Sequence, residues 1–141
     1  MTLRFIGEVD GGLFREIRSV LENVEASSFP LLMKGLGYFP PRKKPHVLWV
    51  GLKKSDPLIQ LRKKVDAQLV FLEIPPEKRK YSPHITLARL KETPLTRLTN
   101  FLSGNALFSL PEFQVTGFHL YSSTLTPKGA IHQIETSYPL E

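Results

Sequence analysis

The chain has 141 residues, 41% of them hydrophobic, which suits one domain or two small lobes sharing a core. It carries no cysteine, which excludes disulfides, thiolate catalysis and cysteine-ligated zinc, and no apolar run nears the roughly 20 residues of a membrane span. Residues 1–10 lack the basic stretch and long apolar run of a signal peptide, so the cytoplasm is the expected compartment, and a net charge of +6 favours a polyanionic partner, nucleic acid first.

Residues 2–6 alternate and predict a short strand, followed by a turn from Gly7 to Gly12 that holds two acids, Glu8 and Asp10. Leu13, Phe14, Ile17, Val20, Leu21 and Val24 recur at helical spacing. Residues 29–39 read as extended, with Gly35 and Gly37 marking a bulge or a close backbone approach. Pro40, Pro41 and Pro45 make a stiff basic loop around Arg42, Lys43 and Lys44. Residues 46–52 are nearly all apolar, the pattern of a central strand buried on both faces, and Trp49 is expected in the core.

Asp56-Pro57 opens a helix whose apolar stripe is Leu58, Leu61, Val65, Leu69 and Leu72, and Pro75-Pro76 stops it. A second basic loop, Lys78 to Lys80, leads through Tyr81 into a strand beginning at His84. Thr93-Pro94 opens a further helix that Gly104-Asn105 ends. Residues 113–125 and 130–140 predict two strands joined as a hairpin at 126–129.

The chemistry-bearing run is Ser82-Pro83-His84-Ile85-Thr86-Leu87-Ala88-Arg89. In a strand, His84 and Thr86 point to one face, setting a proton-transfer group beside a hydroxyl donor. Arg89 lies five residues past His84, so strict alternation turns it away unless the strand bulges. The remaining histidines, His46, His119 and His132, show no metal-ligand spacing, and His46 reads as structural or exposed.

The chain also repeats itself. Thr2-Leu3 matches Thr86-Leu87, and each is followed by a helix, a glycine-bearing strand and a further strand, with Thr2 to Gly35 spanning 33 residues and Thr86 to Gly117 spanning 31. The opening strands are expected to face each other across a cleft, with Thr2 and Thr86 as equivalents. The position equivalent to His84 then precedes Met1. By comparison with the second copy, the first lacks a strand, a helix and their loops, on the order of 40 residues.

These segments resemble the 2H phosphoesterase superfamily, and within it the RNA 2′,3′-cyclic phosphodiesterases historically called 2′–5′ RNA ligases. The His84 run matches the second His-x-Thr motif of that family, Thr2 to Val9 the tail of its first, Lys44 to Gly51 its central strand, and Leu120 to Ser123 its late strand. The resemblance implies an α+β fold of two pseudo-symmetric lobes of antiparallel sheet, with outer helices around a central cleft. Residues 1–141 would be a single bilobal domain lacking the N-terminal strand and helix of its first lobe. It implies metal-independent hydrolysis of RNA 2′,3′-cyclic phosphate ends to 2′-phosphates. His84 would be the proton acceptor, the residue before Met1 the donor, and Thr86 and Thr2 would hold the phosphate. No cofactor and no metal are expected, the partner is RNA with 2′,3′-cyclic phosphate ends, and a monomer is expected.

Candidate substrate contacts are Arg89, Arg4 (two residues past Thr2, on its face), Phe39, Tyr38 or Tyr81 as stacking rings, and Lys43 among the cations of the two basic loops. Two other readings are an RNA-end-binding remnant without turnover and a 2′–5′ RNA ligase.

Overall fold

The computed structural model describes all 141 residues. In chain order the elements are α1 (Gly11–Leu21), β1 (Phe29–Leu31), β2 (Met33–Phe39), β3 (Val47–Leu52), α2 (Asp56–Val70), β4 (His84–Arg89), α3 (Leu95–Gly104), β5 (Phe113–Val115), β6 (Gly117–Thr126) and β7 (Gly129–Pro139). The helices and the hairpin turn fall where periodicity and turn residues place them, but the single strand expected over 113–125 is divided into β5 and β6, which belong to different sheets. Residues 1–10 also differ: they form no strand. Alternation alone does not make a strand, because a strand is held by backbone hydrogen bonds to a neighbour, and this segment has no ladder.

Contacts divide the chain into two compact units, each assembled from three separate segments. Unit 1 holds Met1–Leu3, Pro30–Ser55 and Arg79–Phe113; unit 2 holds Arg4–Phe29, Asp56–Lys78 and Gln114–Glu141. The sequence repeats therefore do not fold as one unit each. The helix of the first copy, α1, shares a unit with the hairpin of the second, and the helix of the second, α3, shares a unit with β2 and β3 of the first.

Unit 1 is built on an antiparallel sheet in the order β2-β3-β4. Leu48 and Val50 are buried on one face of β3, and Leu98 is the buried residue of α3. The glycine pair in β2 does what its spacing predicts: the β2–β3 register shifts between Met33 and Leu36, and Gly35 sits at φ +80, where a side chain would be strained.

In unit 2, Asp10 caps α1 by accepting the Leu13 N–H at 2.8 Å, a cap worth about 1 kcal/mol. Leu58, Leu61, Val65 and Leu69 line the buried stripe of α2, against Ile17 and Leu21 as the buried residues of α1. In the hairpin, Phe118 stacks on Tyr138 with ring centroids 4.8 Å apart, and the Tyr138 hydroxyl donates to the Arg18 carbonyl at 3.0 Å.

Burial pushes the Tyr138 phenol above its ordinary value of 10.0, and Glu22 adds to the rise. The folded chain thus keeps this proton to higher pH than the unfolded chain does. The linked stability is complete below about pH 10 and is lost as pH rises through the folded value. Denaturant titrations across the alkaline range should show wild-type stability declining there, and Tyr138→Phe should remove the part of that decline owed to this phenol. Identical alkaline slopes would refute the assignment. In the same assay Leu69→Ala, at a fully buried position, should cost about 2–5 kcal/mol.

Candidate active site

The site is built on one face of the β2–β3–β4 sheet, within unit 1. Residues opposed in an antiparallel ladder point to the same side, as do residues two apart along a strand. Gly51 opposes His84, Trp49 opposes Thr86 and Val47 opposes Arg89. Val47, Trp49 and Gly51 alternate along β3, so His84, Thr86 and Arg89 share one face.

That placement of Arg89 depends on an irregularity. Leu48 opposes Ala88 and Trp49 opposes Thr86, which leaves Leu87 as an extra residue in β4. The bulge turns Arg89 onto the His84 side, meeting the condition that strict alternation left open. Across β3, Gly37 opposes Trp49 and Phe39 opposes Val47, so both join the same face. Tyr38 opposes Leu48 and faces the other way. Of the two aromatic residues ending β2, Phe39 is therefore the one beside His84.

His84 is half-buried and its orientation is fixed from two sides. Its Nδ1 lies 2.7 Å from the Ser82 carbonyl oxygen. A carbonyl can only accept, so Nδ1 carries the hydrogen and donates it. In the neutral ring Nε2 then holds the free lone pair and is the atom able to take a proton. Pro83 lies between the two partners and restricts the backbone that sets this bond. On the other side, the Phe39 ring meets the imidazole edge to face, with centroids 5.0 Å apart and planes at 79°.

Behind these rings lies Trp49, centroid 5.2 Å from Phe39 and 6.3 Å from His84. It is half-buried rather than a core residue, because its strand presents it on the site face. The indole lies flat over Gly37: a Cβ there would come within 2.3 Å of Trp49 Cζ2, and one at Gly51 within 3.1 Å of Cζ3. Trp49 Nε1 is buried without a protein acceptor, so packing rather than hydrogen bonding holds the ring. Ser82, Gly37 and Trp49 were not among the expected site residues. The signal that could have found them is a glycine opposed to an aromatic across a strand pair.

Thr86 and Thr2 are exposed, so both hydroxyls are open to a ligand. The Tyr81 hydroxyl donates to the Thr2 carbonyl at 3.3 Å, tying the N-terminal segment to the run that enters β4. Arg4 does not share a strand face with Thr2. The chain changes unit between Leu3 and Arg4, and the Arg4 guanidinium is engaged within unit 2. Its Nε lies 3.2 Å from Asp66 Oδ1, an ion pair without hydrogen-bond alignment, and its Nη2 donates to the Pro75 carbonyl. Lys43 is exposed in the β2–β3 loop. His46 is exposed, with its backbone N–H donating to the Phe39 carbonyl at 2.8 Å. His119 and His132 lie on the hairpin of unit 2, paired with the Ser137 and Ser123 hydroxyls.

The LigT like Phosphoesterase family profile matches residues 1–49 and 50–132. An RNA 2′,3′-cyclic phosphodiesterase of Aeropyrum pernix is 34% identical over 135 residues, covering 94% of this chain and 77% of the relative. An RNA 2′,3′-cyclic phosphodiesterase of Thermotoga maritima is 36% identical over 136 residues, covering 95% and 71%. The crystal structure of TT0787 of Thermus thermophilus matches with a TM-score of 0.76 at 26% identity, over 98% of this chain and 75% of that one. The chain belongs to the LigT-like family of 2H phosphoesterases, and its α+β arrangement of helices and antiparallel sheets is the fold of that family. Membership makes it an enzyme of the phosphoesterase class.

The glycine cradle makes a direct prediction. Gly37→Ala must displace the Trp49 indole, which packs against Phe39 and hence bears on His84. Trp49 is the single tryptophan, so its emission reports the move without interference. A shifted emission maximum with an activity loss of about tenfold is expected, alongside a stability cost of about 1–3 kcal/mol. An unchanged spectrum and unchanged turnover would show that the ring is not held this way.

Proposed function

We propose that the chain acts on RNA 2′,3′-cyclic phosphate ends, opening the ring to a 2′-phosphate. The observation that carries this reading is the His84 geometry: Nδ1 is committed to the Ser82 carbonyl, and the Nε2 lone pair is left on a face shared with Thr86 and Arg89. The names of the A. pernix and T. maritima relatives give the substrate class.

In the reaction, His84 Nε2 takes a proton from water as the water oxygen bonds to phosphorus. The P–O3′ bond breaks in line with the attack, the 3′ oxygen takes a proton from solvent and leaves as a hydroxyl, and the protonated His84 returns its proton to solvent, which restores the starting state. A neutral imidazole suits this role because its free ring nitrogen can take a proton and give it up again. Charge grows on the non-bridging oxygens as water adds. The Thr86 hydroxyl, the Thr2 hydroxyl and the Arg89 guanidinium can donate to them, which is electrostatic stabilisation aimed at the transition state. These groups supply the proton acceptor and the charge compensation from side chains alone, so the proposed reaction calls for no metal. Phe39 supplies a ring face beside the reacting end, and Arg4, held by Asp66, has no part in binding.

A second reading is an RNA-end-binding protein without turnover. What favours it is the N-terminal segment: residues 1–10 have no strand ladder to fix Thr2.

A fluorescent oligoribonucleotide ending in a 2′,3′-cyclic phosphate separates the two. The first reading expects conversion to the 2′-phosphate by the 141-residue chain, its near-complete loss in His84→Ala, and a fall of about 10²-fold in kcat/KM for Arg89→Ala. Binding of the oligonucleotide with no product, equally in wild type and His84→Ala, would sink the first reading and support the second.

A further inference from the structure

The sheet face has a direction, and the direction bears on how much of an RNA strand it holds. His84 lies at one end of β4, opposite Gly51, and Arg89 lies at the other, opposite Val47 and next to Phe39 across β3. With one residue bulged, the two are four ladder steps apart, about 13 Å at roughly 3.3 Å per residue. A single strand covers that distance in a few nucleotides. Just beyond Arg89 lies the β2–β3 loop. It is closed at its base by the His46 N–H donating to the Phe39 carbonyl at 2.8 Å, and joined to the end of β4 by the Leu90 N–H donating to the His46 carbonyl at 2.7 Å. Its tip carries Arg42, Lys43 and Lys44, all exposed, between Pro41 and Pro45. The one nearby acid of the segment after β4 is Glu92, also exposed.

Cations also lie at the His84 end of the sheet: Lys34, Lys53, Arg79 and Lys80 are exposed there. Charge alone does not choose a direction. The ring of Phe39 and the bulge-turned guanidinium of Arg89 do, because they continue the site only toward the β2–β3 loop.

Resting on the function proposed above, we infer that the β2–β3 loop is a phosphate-tracking subsite for single-stranded RNA. The cyclic phosphate end sits at His84, the terminal nucleotide lies along Phe39 toward Arg89, and the phosphates on its 5′ side reach Arg42, Lys43 and Lys44. The preferred substrate is then an oligoribonucleotide rather than a cyclic mononucleotide. Aromatic faces and a cationic track bind a single strand with little regard to sequence, and with strong salt dependence.

The test is binding, which reads out whether or not turnover occurs. The probes are a nucleoside 2′-phosphate and a tetraribonucleotide ending in the same 2′-phosphorylated nucleoside, measured at several salt concentrations. Wild type should bind the tetranucleotide at least about tenfold more tightly. Replacing Arg42, Lys43 and Lys44 together by alanine should erase that ratio and reduce the salt slope by about two, at roughly 0.7 per phosphate contact. Replacing Lys53 and Lys80 instead should leave the ratio in place. A wild-type ratio near one would overturn the inference, as would a ratio that survives the loop substitutions or falls with Lys53 and Lys80. Failure of the proposed reaction is distinguishable, since it would abolish turnover while leaving these binding ratios as stated.

Discussion

The register of β4 against β3 is the constraint on which the site depends. Two of the three polar groups on the site face, His84 and Thr86, would share a side in any regular strand. The third, Arg89, joins them because Leu87 is bulged out of the ladder. A bulge of this kind re-aims a side chain without changing the sheet around it. Here it places an imidazole, a hydroxyl and a guanidinium on one face of the sheet. A phosphoryl group with charge on several oxygens needs all three kinds of partner.

The same face shows how apolar packing orients a histidine. His84 is not held by a carboxylate. Its Nδ1 is spent on the Ser82 backbone carbonyl, and its ring is stopped by Phe39. Phe39 is backed by Trp49, and Trp49 lies where it does because Gly37 and Gly51 have no side chains to displace it. Orientation therefore passes from two glycines through two rings to one imidazole. In that arrangement the indole N–H is buried without a protein acceptor. A site built on strands rather than on loops keeps its geometry.

Much of this was legible in the sequence. Proline and asparagine signals fixed the ends of α3, the 3-4 spacing of leucines fixed α2, and the turn at Thr126 to Gly129 fixed the hairpin. His-x-Thr at spacing two placed His84 and Thr86 on one strand face, as the ladder has them. Three things were hidden for physical reasons. The bulge at Leu87 has no composition signature, since an extra residue shows only against a partner strand. The strand expected at residues 2–6 had the right alternation, but alternation describes one strand while a ladder takes two. Arg4 looked free because its partner, Asp66, is more than sixty residues away in sequence. The two copies read from the sequence do not fold separately, since each compact unit draws its helix and its strand pair from different copies, which only the fold shows.

The claim at the centre of this account is that His84 presents Nε2 as a lone pair to the site face. Long-range proton–nitrogen NMR of the chain with ¹⁵N-labelled histidine reads the tautomer directly, and a His84→Gln spectrum identifies which of the four histidine signals belongs to that residue. The account predicts a neutral ring protonated at Nδ1, with an unprotonated Nε2 whose signal moves when a nucleoside 2′-phosphate is added. An Nε2-protonated ring, or the tautomer mixture of free imidazole, would contradict it.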